Sequence, residues 1–237
     1  GAEAEKLVAT ALQGSGKSDP LLWIVQSRLL AASKQLPQAA EAADRAVAEA
    51  RKQIDNLPGA EGGRRPALLR QYASARIEQA ARILTAEAAR TGAATAKDRE
   101  RIDGAIDSLQ QAGRDLVSLG AGENKDLQKA ATRNLQLLHL RRAKLRLTEA
   151  ESHISRTGIS QQTTKEAEDA LADVQRASEL GAFDQKPELG FAQCLGALAG
   201  AQANQFKTAR DLIAKAIDNG CELVAPYNKL GTELVSV

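Results

Sequence analysis

Residues 125–156 carry eight basic side chains, Lys125, Lys129, Arg133, Arg141, Arg142, Lys144, Arg146 and Arg156, against three acidic ones, Asp126, Glu149 and Glu151. On a helix advancing about 100° per residue, Lys129, Arg133, Gln136, Leu140 and Lys144 share one arc, opposite Leu127, Ala131, Leu135, Leu138 and Leu145. Long basic groups interleaved with leucine suit an acidic or carboxylate-bearing peptide laid along a groove, because charge-assisted hydrogen bonds are the stronger kind. A competing expectation is charge balance within a helical hairpin. The stretch 161–188 answers with Glu166, Glu168, Asp169, Asp173, Glu179, Asp184 and Glu188 against Lys165, Arg176 and Lys186.

Two further arginines stand within apolar arcs: Arg76 among Leu69, Tyr72 and Ile83, and Arg142 among Leu135, Leu138 and Leu145. A guanidinium drawn toward a core requires an acceptor. A neighbouring helix's carboxylate or C-terminal carbonyl is the expected one, and the alternative is a ligand in a groove lined by Tyr72 and Arg76.

Other chemistry is thinly represented. Gly14-Ser15-Gly16-Lys17-Ser18 resembles the end of a phosphate-binding loop, but Ala11 stands where that pattern needs its first glycine, and no strand precedes it. An interhelical turn is expected instead. His139 and His153 would lie about 21 Å apart on one helix, at ~1.5 Å per residue, too far to share a metal. Surface or half-buried positions are expected for both. Cys194 and Cys221 would be offset by roughly 12 Å along a hairpin, beyond the ~7 Å limit of a bridge. No local motif joins a serine or cysteine nucleophile to a histidine. Neither a metal, a cofactor nor an enzymatic activity is expected.

The elements that would position these residues are helices. Of 237 residues, 43% are hydrophobic but only 3% aromatic, and alanine recurs throughout, which favours closely packed helices over a sheet. Breaks fall at Gly14-Ser15-Gly16, Leu36-Pro37, Leu57-Pro58-Gly59, Gly62-Gly63 and Gly120-Ala121-Gly122. Asp19-Pro20 supplies a cap and a first-turn proline, and Pro66, Pro187 and Pro226 are further helix openers. The net charge of +2 offers no overall attraction to nucleic acid. The longest apolar run, about residues 21–25, is far short of a membrane span, so no membrane insertion by this segment is expected. The chain begins at Gly1 and lacks methionine; a removed signal peptide and a piece of a longer protein are equal expectations. A cytoplasmic and a bacterial periplasmic or envelope location follow with equal weight, and the alanine- and arginine-rich composition is compatible with a bacterial source.

A repeat underlies the helices. Ala39, Ala43 and Ala46; Ala105, Leu109 and Ala112; Ala170, Val174 and Ala177; and Ala209, Ile213 and Ala216 each set small residues seven apart around a central position. Two helical turns separate the outer alanines, so both should face a partner helix. Gln193-x2-Gly196-Ala197-x2-Gly200 and Tyr227-x2-Leu230-Gly231-x2-Leu234 recur 34 residues apart, the period of a helix-turn-helix solenoid. With Trp23, Gln26, Ser27 and Leu30 before Ala39, and Phe206, Ala209 and Ile213 in the last hairpin, the chain resembles the tetratricopeptide repeat family. The middle hairpins match only in their second helices, and Cys221 stands where the family's closing proline would fall.

The resemblance implies an all-α superhelical solenoid: one domain over 1–237, with antiparallel hairpins at roughly 20–57, 64–119, 125–180 and 187–219 and a capping helix at 224–237. It also implies a non-catalytic scaffold or adaptor that binds a protein or peptide, an acidic one if the basic stripe lines the groove. The alternatives are a self-associating structural module and a regulatory helical domain of a larger enzyme.

Overall fold

The computed structural model describes residues 2–58, 63–91, 94–120, 122, 124–158, 160–182 and 186–219. Cys221, the Cys194 side chain and the helix expected at 224–237 lie outside the described residues. All regular structure among the described residues is helical: α1 (Ala2–Gln13), α2 (Pro20–Ala32), α3 (Leu36–Asp55), α4 (Arg65–Ala88), α5 (Ala96–Ser118), α6 (Lys125–Thr157), α7 (Gln161–Glu179), α8 (Lys186–Gln202) and α9 (Phe206–Asp218), with a 3-10 turn over Ser15–Ser18. The chain divides into two compact units, Gly1–Leu135 and Gln136–Val237. No described helix is long and apolar enough to cross a membrane.

The helix boundaries have local causes. Asp19 Oδ1 accepts the Leu21 amide at 2.9 Å and Pro20 opens α2. Thr95 and Asp98 form a reciprocal capping box at the start of α5, and Ser160 and Thr163 do the same for α7. Hydrogen bonds from Arg90 and Thr95 hold the Asp98 carboxyl well below the usual carboxylate range. The turns after α2 and α8 share one geometry. Lys34 and Asn204 take left-handed φ values of 61° and 58°. In each turn the next residue's amide reaches back five residues, Gln35 to the Leu30 carbonyl at 2.8 Å and Gln205 to the Gly200 carbonyl at 2.6 Å. This is a Schellman closure built without glycine.

In the first unit, α3 packs against α2 and α4, and α4 packs in turn against α5. Ile24, Ala46, Val47, Ala50, Tyr72 and Ala75 form one core; Ala73, Ala112 and Leu116 form another, with Leu127 against it. Trp23 is half-buried at the edge of the first core, its Nε1–H donating to the Lys17 carbonyl at 2.8 Å and the Arg45 guanidinium 5.0 Å over its ring. Buried Glu78 of α4 accepts from the Ser27 hydroxyl at 3.0 Å and from Arg28 Nε at 2.9 Å, which ties α4 to α2.

In the second unit, Leu140, Ala143 and Leu147 of α6 meet Ala170, Leu171, Val174 and Ala177 of α7 and Ala192, Leu195, Leu198 and Ala199 of α8. A Cβ on Gly196 would lie 2.9 Å from Leu212 Cδ1 and 3.2 Å from Val174 Cγ1, so the glycine lets α7, α8 and α9 approach one another closely. The described members of all four alanine sets are buried, as their seven-residue spacing requires.

Candidate functional site

Two cavities follow one another along a single stripe of α4. Arg65, Leu69, Tyr72, Arg76, Gln79 and Ile83 succeed one another at intervals of three and four residues and therefore share one helical face. The first cavity, about 520 Å³, adds Arg51, Ile54, Asp55 and Leu57 from the end of α3 and its exit, and Gln111 and Asp115 from the end of α5. The second, about 380 Å³, adds Asp44 from early α3, and Arg101, Gly104, Ala105 and Ser108 from early α5. The end of α3 thus meets the start of α4, and the start of α3 meets its later turns; α5 follows the same antiparallel order. The result is a trough floored by α4, walled by α3 and α5, and about 27 Å long from Arg65 to Ile83 at ~1.5 Å per residue. About eight residues of extended peptide span that length.

The polar groups of the trough hold one another in place. Tyr72 is buried, and its hydroxyl accepts from Arg76 Nε at 3.0 Å and Nη2 at 2.6 Å, with the guanidinium 5.0 Å over its ring. Arg76 Nη1 donates to Gln79 Oε1 at 3.1 Å, and Gln79 Nε2 donates to Asp44 Oδ1 at 2.7 Å. Arg51 pairs with Asp55 at 3.0 Å, which raises the guanidinium's already high pKa. Gln111 Nε2 reaches Asp115 Oδ1 at 2.9 Å.

Gly104 sits mid-helix in the wall, and a Cβ built there meets nothing within 4 Å. Its absence of a side chain serves no internal packing and leaves the trough wide. Gly104→Ala is therefore expected to stabilise the protein by roughly 0.5–1 kcal/mol, the helix-propensity difference alone. A urea midpoint shifted upward at unchanged slope is the measurement; a downward shift would show that the backbone needs glycine there.

Tyr72 lines the first cavity and Arg76 the second. In place of the carboxylate or helix-end carbonyl expected on a neighbouring helix, Arg76 donates to Tyr72 and Gln79 of its own helix, which lie one turn to either side of it. The basic stripe fares differently. Lys129 and Lys144 are exposed and Arg133 is half-buried, with Lys129 and Arg133 each engaged in a polar interaction. Gln136 and Leu140 are buried, 5% and 3% exposed, and so leave the open stripe expected of them. Gln136 Nε2 donates to the Ala177 and Gly181 carbonyls at 3.2 and 2.9 Å, capping the end of α7, while Leu140 joins the core with α7 and α8. Their burial follows from α6 packing over more than one arc of its surface.

Arg142 finds the carboxylate expected on a neighbouring helix. Asp173 of α7 is 1% exposed and accepts from Arg142 Nη2 at 2.6 Å and Nε at 2.9 Å, from Arg146 Nη1 at 2.7 Å, and meets His139 Nδ1 at 2.9 Å. His139 is itself 1% exposed, not the surface or half-buried residue expected, because it completes the shell around that carboxylate. His153 is half-buried beside Glu166 at 3.2 Å. Neither Asp173 nor buried Glu78 was among the expected site residues.

Gly14-Ser15-Gly16-Lys17-Ser18 is a structural turn. The Lys17 and Asp19 amides are spent on the Gly14 and Gly16 carbonyls, the Ser18 carbonyl accepts from Gln53 Nε2 at 2.7 Å, and a Cβ on Gly16 would fall 2.5 Å from Leu22 Cδ1. Among the described residues no group of three or more histidines, cysteines and carboxylates could hold a metal ion.

No family model matches the chain, and no curated protein or solved structure is similar to it at a significant level.

Proposed function

We propose that this chain is a non-catalytic helical-repeat scaffold that binds a protein or peptide segment along the α4 trough. The observation that carries the reading is the trough itself: a stripe of α4 on which Leu69, Tyr72 and Ile83 alternate with Arg65, Arg76 and Gln79, beside a wall opened at Gly104. Recognition surfaces place a few oriented polar groups among apolar side chains in this way. The tetratricopeptide-like alanine sets support the same role.

The test is selection of random twelve-residue peptides on the intact protein, followed by binding to Gly104→Trp. An indole at that position projects from the wall into the trough and has no internal neighbour to displace. Selected peptides are expected to lose about tenfold or more in affinity for the variant while its helicity stays unchanged, since the lost contacts correspond to 1.4 kcal/mol or more. Binders indifferent to Gly104→Trp would overturn the reading.

A further inference from the structure

The second unit contains a pattern that the first leaves incomplete. Three residues after Ala170 of the alanine set on α7 stands Asp173, whose carboxylate receives Arg142 from 31 residues earlier. Three residues after Ala105 of the matching set on α5 stands Ser108, with Arg76 32 residues earlier. Arg76 and Ser108 line one cavity, as Arg142 and Asp173 meet in one cluster. The positions matching His139 and Arg146 are Ala73 and Ala80, both buried, so Arg76 is the cation of that cluster retained in α4. Tyr72 and Gln79, where α6 has Leu138 and Leu145, give it neutral acceptors in place of a carboxylate.

We infer that the cavity lined by Arg76, Arg101 and Ser108 receives a carboxylate from the bound partner, in the place that Asp173 fills from within the chain in the second unit. The inference rests on the peptide-binding reading of the trough. Among the described residues neither Arg76 nor Arg101 pairs with a carboxylate, although both line the cavity. Among the described residues Asp44 is the one acidic residue lining it, and it is engaged by the Gln79 amide. Two guanidinium groups with one carboxylate leave a local positive excess. Arginine's planar fork matches a carboxylate better than it matches a phenol or an amide. The Ser108 hydroxyl donates to its own helix, to the Gly104 carbonyl at 2.6 Å, and supplies no charge.

The test uses three acetylated pentaglycine probes on the whole protein, followed by the Nε–H resonances of ¹⁵N-labelled arginine. One probe has a central glutamate and an amidated end, one a free C-terminal carboxylate, and one neither charge. At least one carboxylate probe is expected to shift Arg76 and Arg101 while the neutral probe does not, and which one does so identifies a side chain or a chain terminus as the source. Ser108→Asp, which supplies the carboxylate internally, and Arg101→Gln, at an exposed position, should each weaken that probe by about tenfold or more, the worth of one charge-assisted hydrogen bond. Equal responses to charged and neutral probes, or affinity unchanged by Ser108→Asp, would overturn the carboxylate site. Carboxylate-dependent shifts without any trough-binding peptide would uphold the site and overturn the peptide reading; trough-binding peptides without such shifts would do the reverse.

Discussion

Asp173→Ala is expected to destabilise the second unit by about 3–5 kcal/mol, because it leaves two guanidinium groups and a buried imidazole without their shared acceptor. The carboxylate is 1% exposed and bridges Arg142, Arg146 and His139 of α6 from its place on α7. Burial alone would push its pKa up. Hydrogen bonds from His139 and Arg142, with the charges of Arg142 and Arg146, outweigh burial and hold it below the usual carboxylate range. The folded value is thus lower than the unfolded one, so the stabilisation is complete above the ordinary aspartate pKa of about 3.9 and is lost as pH falls through the depressed folded value. Urea unfolding of wild type and Asp173→Ala at neutral pH and again at acid pH tests both parts. The difference between them should narrow below about pH 4. A constant difference would show that the carboxyl group acts through packing rather than charge.

Leu109→Ala is expected to cost about 2–5 kcal/mol by the loss of buried methyl groups and the cavity left behind. Leu109 is 2% exposed and holds the central position of the α5 alanine set, between the buried alanines Ala105 and Ala112. Leu7, 68% exposed on α1, is the matched control, and Leu7→Ala should stay within about 0.5 kcal/mol of wild type. Equal effects for the two leucines in thermal or urea melts would contradict the packing of α5 described above.

Both predictions draw on features that differ in how far the amino-acid sequence reveals them. Helix positions were legible because their causes are local. Asp19 with Pro20, Thr95 with Asp98 and Ser160 with Thr163 satisfy backbone groups within a few residues, and the alanine spacing reports a face that must be buried whatever covers it. The need of Arg142 for an acceptor was legible for the same reason: a guanidinium on an apolar arc is a demand stated by one helix alone.

Which residue meets that demand, and which arcs remain open, depended on neighbours remote in sequence. A helical wheel assigns faces but not the number of helices packed on them. Gln136 and Leu140 read as groove residues until α7 and α8 covered them, and His139 read as a surface or half-buried residue until Asp173 did. The trough shows the same division. Tyr72 and Arg76 could be singled out from α4 by their place in its apolar stripe. The α3 and α5 residues that wall the trough could not, because none of those helices carries any local trace of the gap between them; only their side-by-side packing leaves Gly104 facing open space and, among the described residues, Arg76 without a carboxylate.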